Sequence, residues 1–171
     1  MDDDVDRSPS SDRGPGLFLD KAIPEAWQAA VALATVIGRA AVQRGLSPQE
    51  SELIKVRTSQ INGCPFCLDL HSREARQAGI VQQKLDLLPG WRSAESFTER
   101  ERAVLAVAEA STVVPLTQQS SDDLYGARSV LGDEVFAAAE WVAVAINAFN
   151  RISILSGHPV RPRDGDGDVV R

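Results

Sequence analysis

From Pro24 onward, apolar side chains return every three or four positions: Trp27, Ala30, Val31, Ala34, Val36, Ile37, Ala40 and Ala41 share one face, and Gly45 closes the run. This spacing predicts a first amphipathic helix. Ser47-Pro48-Gln49-Glu50 then supplies an N-cap serine, a proline at the first helical position and a glutamate at the third, so a second helix is predicted from Ser47 to about Ile61. Asn62-Gly63 stops it, and a third helix is predicted from near Cys64 to Gly79, with Pro65 in a first turn where a missing N–H costs little. A short helix over 81–88, a second capping box at Thr98-Glu99-Arg100-Glu101 opening 103–110, a helix over 120–131 and a long one over 134–156 closed by Gly157 complete the pattern. Alternating strand-like runs and internal repeats are absent, so the fold class is all-α, with about six to seven helices.

A length of 171 residues with 43% hydrophobic content fits one soluble domain. The expected organisation is a disordered acidic tail over 1–16, a helical domain over 17–160 and a second disordered tail over 161–171, both tails being rich in Asp, Arg, Pro and Gly. Of the net charge of −6, half lies in Asp2, Asp3, Asp4, Asp6 and Asp12 against Arg7 and Arg13. The remainder offers no concentrated basic surface, which argues against a nucleic-acid partner. The amino terminus lacks a basic region followed by an apolar run, and no apolar stretch was expected to reach membrane-spanning length, so a cytoplasmic protein is expected.

The chemistry concentrates in Cys64-Pro65-Phe66-Cys67-Leu68-Asp69-Leu70-His71, which holds both cysteines and one of two histidines. If helical from Cys64, positions 64, 67 and 71 fall within an arc of about 60° on one face. A dithiol at a helix start can cycle to a disulfide with little backbone movement, and the positive helix end together with a nearby imidazole favours the thiolate. His71 lies one turn beyond Cys67, and Glu52 on the preceding helix is a candidate to orient it or pass its proton onward.

Glu52, then Ser59-Gln60-Ile61-Asn62-Gly63-Cys64-Pro65-Phe66-Cys67, then His71, Ala75 and Gly79, resembles the core motif of the AhpD-like alkyl hydroperoxidases. These belong to the carboxymuconolactone decarboxylase superfamily of all-α proteins, and Asn147-Ala148-Phe149-Asn150-Arg151 extends the likeness over about 20–158. The resemblance implies Cys67 as the peroxide-attacking thiolate, Cys64 as the resolving thiol, and Glu52 with His71 as the proton relay, with no cofactor and no metal. It also implies a hydroperoxide substrate, a lipoyl-type or thioredoxin-like dithiol reductant, a possible peroxiredoxin partner and a homo-oligomer. Phe66 departs from the pattern, because the best-known peroxidase members carry a histidine between the cysteines. That departure leaves open a weaker peroxidase, a protein-disulfide reductase or a non-enzymatic redox sensor.

Competing readings are weaker. Cys64, Cys67 and His71 give a zinc ion three ligands where a structural site wants four, and His158 is expected to be remote. Leu68 occupies the place where haem attachment needs histidine, and no strand precedes the pair as a thioredoxin-like motif requires. Asp164, Asp166 and Asp168 lack the glycine and closing glutamate of a calcium loop. Asn147, Asn150 and Arg151 are expected to serve structure, and Trp27, Trp91 and Trp141 to anchor the core or an interface.

Overall fold

The structure is a computed structural model that describes residues 16–164, 169 and 170. The acidic segment expected as a tail therefore lies, up to residue 15, outside the described residues, as does most of the Asp-Gly repeat near the other end. Among the described residues the chain forms α1 (Leu19–Ala22), α2 (Pro24–Gln43), α3 (Pro48–Asn62), α4 (Pro65–Gln77), α5 (Gln82–Leu87), α6 (Glu99–Ala110), α7 (Gln118–Leu131) and α8 (Asp133–Ser156), with a 3-10 turn at Leu88–Gly90. The all-α class is as expected, and no sheet forms among these residues beyond one isolated bridge between Arg163 and Val169. The one-turn helix α1 was not anticipated, because four residues are too few to show a period.

Both capping boxes form. Ser47 Oγ accepts from Glu50 N–H while Glu50 accepts from Ser47 N–H, and Thr98 and Glu101 do the same at the head of α6.

Two apolar clusters fill the interior, and α3 and α6 form the wall between them. Ile54, Val104 and Val107 face Ile37, Ala41, Leu131 and Ala139, whereas Leu53, Val56 and Leu105 face Leu85, Leu88, Trp91 and Phe97. A helix packed on both sides cannot keep a wide polar face in water. Hence α3 buries Glu50, Glu52, Thr58 and Ser59 as well as its leucine and isoleucine, and each buried charge needs a partner. Glu50 takes Arg100 at 2.8 Å, and Glu52 takes the partners described below.

One expectation requires correction. α8 is 24 residues long and apolar enough to cross a bilayer by length and composition. It packs against α2, α3, α6 and α7, with Asn147, Asn150 and Ser153 among its buried residues, and so serves here as a core helix. Trp91 is buried, while Trp141 is more than half exposed and Trp27 meets Phe149 edge-on at 5.5 Å.

Glu109 ties the second cluster together. Its carboxylate accepts from Arg57 at 2.9 and 2.7 Å, from Trp91 Nε1 at 2.8 Å and from Arg92 at 2.8 Å. Burial alone would raise its pKa, but the bonds from Trp91, Arg57 and Arg92 outweigh burial and hold it below the usual glutamate range. A carboxyl depressed in the folded state contributes stability that is present above its unfolded pKa and lost as pH falls through the folded value. Urea unfolding across acid pH should show this loss in the wild type. Glu109→Gln should flatten the acid slope and cost about 1–3 kcal/mol at neutral pH; an unchanged slope would contradict the account.

Candidate active site

The junction of α3 and α4 sets the two sulfurs. Gly63 adopts a left-handed conformation at φ 63°, which lets its N–H reach Gln60 O at 3.2 Å and the Cys64 N–H reach Ser59 O at 3.1 Å. Cys64 is then extended, at φ −93° and ψ 98°, and serves as the N-cap of α4 rather than its first helical residue. The reason is Pro65, whose ring disfavours a helical conformation in the residue before it. The sulfurs still converge, with Sγ–Sγ at 2.8 Å against about 2.05 Å for a disulfide bond. Both thiols are free; Cys64 is fully buried and Cys67 is 3% exposed.

His71 and Glu52 meet. His71 Nδ1 lies 3.1 Å from Glu52 Oε2 and 3.0 Å from Glu74 Oε2, while the other Glu52 oxygen takes Lys55 Nζ at 2.6 Å. Two acceptors on one ring nitrogen assign the proton to Nδ1 and leave Nε2 with the lone pair in the neutral ring. Burial pulls the His71 pKa down, but the two carboxylates outweigh burial and set it above the ordinary imidazole value. Glu74 is held below the usual carboxylate range, mainly by His71, against its partial burial. Glu74 was not anticipated, although its position three residues after His71 on the same helix was a usable signal.

The other wall comes from α8. Asn150 is fully buried, donating to Ser59 Oγ at 3.1 Å and accepting from Asn62 at 2.9 Å; Asn62 also donates to Asn147 at 2.8 Å. Asn147 and Asn150 thus hold α8 against the end of α3, and Arg151 donates to Asn147 within α8. Asn150 goes further and, with Ser153, favours the ionised form of the Cys67 thiol. The Cys67 thiol is lowered to about 6: the bond from Cys64 contributes most, burial opposes it, and Ser153, Asn150 and nearby His71 add to it. Cys64 moves the other way, raised chiefly by sharing its proton with Cys67 and by burial. Both shifts favour the thiolate at Cys67 and a retained proton at Cys64.

His158, expected to be remote, is not. Its ring lies 5.3 Å from that of Phe66, between the two cysteines in sequence, because the chain turns back after α8. Ser153 and His158 were both missed as site residues; nothing in their spacing links them to the motif.

A cavity of about 720 Å³ opens beside the motif between α2 and α8. Trp27, Ile37, Val142, Ile146, Phe149 and Phe66 give it an apolar wall into which Cys67 and His71 also face. Possible metal ligands in Glu52, His71 and Glu74 lie within 4.8 Å of one another. The Lys55 ammonium on Glu52 already occupies the position of a cation and would repel one.

A helical domain that carries Cys-x-x-Cys at the head of an inner helix, backed by a glutamate–histidine pair, defines the AhpD-like class. Residues 23–110 match the model of the carboxymuconolactone decarboxylase family, and the chain belongs to that family. It is 34% identical over 117 residues to the uncharacterized protein YdfG of Bacillus subtilis, covering 68% of this chain and 79% of that one. It is 33% identical over 72 residues to the uncharacterized protein YnjA of Escherichia coli, spanning 42% of this chain and 40% of that relative. A crystal structure from Agrobacterium tumefaciens, described as a protein of unknown function with a provisional assignment as antioxidant defence protein AhpD, superposes with TM-score 0.76 at 36% identity. That superposition covers 85% of this chain and 99% of the other.

Alkylation by iodoacetamide with peptide mapping reads the divided pair. Cys67 should be modified first, with a rate that rises through about pH 6, and Cys64 should lag. Cys64→Ala should move the Cys67 profile toward an ordinary thiol; equal reactivity of the two cysteines would contradict the geometry.

Proposed function

We propose that the protein is a thiol-dependent peroxidase that reduces organic hydroperoxides. The observation that carries this reading is the pair of free thiols 2.8 Å apart at the head of α4, one turn before a histidine held by two carboxylates. Cys67 thiolate attacks the terminal oxygen of ROOH; the O–O bond breaks, Cys67 becomes a sulfenic acid, and RO⁻ takes a proton from the His71 imidazolium to leave as ROH. Cys64 then attacks the Cys67 sulfur, the S–O bond breaks, water leaves and the disulfide forms. An external dithiol returns the pair to its reduced state. Glu52 and Glu74 stabilise the imidazolium and keep Nε2 free to exchange protons. The apolar cavity favours a substrate with a hydrocarbon body over hydrogen peroxide.

A second reading, a reductase of protein disulfides such as that of a peroxiredoxin, is favoured by Phe66, which is 38% exposed between the cysteines and offers a partner an apolar contact. Homo-oligomerisation accords with the outward apolar residues Val31, Leu33, Val36 and Val42 of α2 and Trp141 and Val144 of α8. A reducing, cytoplasmic compartment would supply the dithiol.

Steady-state consumption of an organic hydroperoxide with dihydrolipoamide tests the proposal. Cys67→Ser and Cys64→Ser should abolish turnover, and His71→Ala should lower it by about 100-fold. The pH profile should be bell-shaped, rising with Cys67 ionisation near 6 and falling above the ordinary imidazole range as the His71 imidazolium deprotonates. Faster reduction of a peroxiredoxin disulfide than of any peroxide would replace the peroxidase with the reductase.

A further inference from the structure

Gly157, left-handed at φ 62°, ends α8 as Gly63 ends α3: its N–H reaches Ile154 O at 3.1 Å and the His158 N–H reaches Ser153 O at 3.1 Å. The turn folds the imidazole back so that His158 Nδ1 lies 3.3 Å from Ser153 Oγ. The opposite nitrogen, Nε2, lies 3.1 Å from Asp20 Oδ1. Phe18 stacks on the ring at 5.4 Å, and the Leu19 N–H donates to Ser156 Oγ at 3.0 Å, so the single turn of α1 is a brace for this histidine. Asp20 can only accept, which assigns the proton to Nε2 and leaves Nδ1 to accept from Ser153.

Ser153 and His158 line both cavities at the motif: the large one with Cys67, and a second of about 430 Å³ with Cys64. Ser153 thus faces both sulfurs, with its hydroxyl bonded to His158. We propose that Ser153, His158 and Asp20 form a second proton relay, dedicated to Cys64. Asp20, Ser153 and His158 all lie outside the matched residues 23–110, so the relay is a feature of this chain's flanks.

The inference rests on the dithiol cycle proposed above. The resolving step needs Cys64 to lose a proton while hydroxide leaves Cys67. As the Cys64–Cys67 bond forms and the Cys67 S–O bond breaks, the Cys64 proton passes to Ser153 Oγ and the Ser153 proton to His158 Nδ1. His71, neutral after the first step, regains a proton from solvent through the cavity and gives it to the departing hydroxide, which leaves as water. When the dithiol reduces the disulfide, His158 returns its proton to Cys64 by the same route. His71 serves the attacking sulfur and His158 the resolving one. His158 acts through Ser153 and is a positioning residue, whereas Ser153 faces the reacting sulfur across the smaller cavity. Ser153 lies within α8, its own N–H committed to the helix, so the three residues lack the backbone donors a hydrolytic triad places around an oxyanion.

The titratable or charged groups that share these cavities with His158 are Asp20 and Lys21 of α1, Lys55 of α3, Cys64 at the N-cap of α4, Cys67 and His71 within it, and Arg161 beyond α8. Lys21 is drawn over the Phe18 ring at 4.7 Å and Lys55 onto Glu52, which leaves Asp20 as the group directly bonded to the imidazole.

Diamide tests the relay without peroxide: it adds to the Cys67 thiolate, and attack by Cys64 then closes the disulfide. In the full-length protein, closure should be about tenfold slower in His158→Ala and Ser153→Ala, with the Cys67 adduct accumulating. Added imidazole should restore His158→Ala, and Asp20→Asn, which keeps the ring packing, should show a smaller loss. The closure rate of His158→Ala should also depend more steeply on pH than that of the wild type. Closure at the wild-type rate with an unchanged pH profile in His158→Ala and Ser153→Ala would overturn the relay. Normal closure with diamide in a wild type that consumes no hydroperoxide, together with the variant defects, would support the relay and reject the peroxidase.

Discussion

The contact between Glu52 and His71 is the constraint around which this structure is arranged. A carboxylate only 7% exposed on a helix packed from both sides would cost several kcal/mol if left alone. Lys55 on one oxygen and His71 on the other offset that cost, and the second of these crosses from α3 to α4. The same bond fixes which imidazole nitrogen carries the proton. It therefore couples the docking of α4, and with it the position of Cys67, to the protonation chemistry beside the sulfurs.

Two glycine turns complete the geometry. Gly63 and Gly157 end the two helices that flank the motif in the same way, and each turns the next side chain, Cys64 and His158, toward the first turn of α4. Between them, Asn62, Asn147 and Asn150 form a buried amide network that holds α8 against α3. Every amide in it finds a partner within α3 or α8, and Asn147 also reaches Thr112 just beyond α6, which is how a polar network can stand next to an apolar cavity.

Much of this was legible in the sequence because it is local. Capping boxes, proline at the first helical position and helix-closing glycines are short-range signals, and they place α2, α3, α4, α6, α7 and α8 to within a few residues. Cys64, Cys67 and His71 could be grouped by helical periodicity, and Glu52 by resemblance. What escaped was contact between distant segments. His158 and Asp20 are 138 positions apart, and no period or spacing joins them. α1 is a single turn held by packing rather than by propensity.

The central claim is that a divided thiol pair converts one hydroperoxide into one disulfide. Reduced protein mixed with a single equivalent of an organic hydroperoxide, without reductant, and followed by rapid-quench intact mass tests it most directly. The account predicts loss of two hydrogens with stoichiometric peroxide consumption, and a dimedone-trappable sulfenic acid at Cys67 when Cys64 is serine. Unconsumed peroxide with both thiols intact, or a sulfenic acid on Cys64 instead, would contradict it.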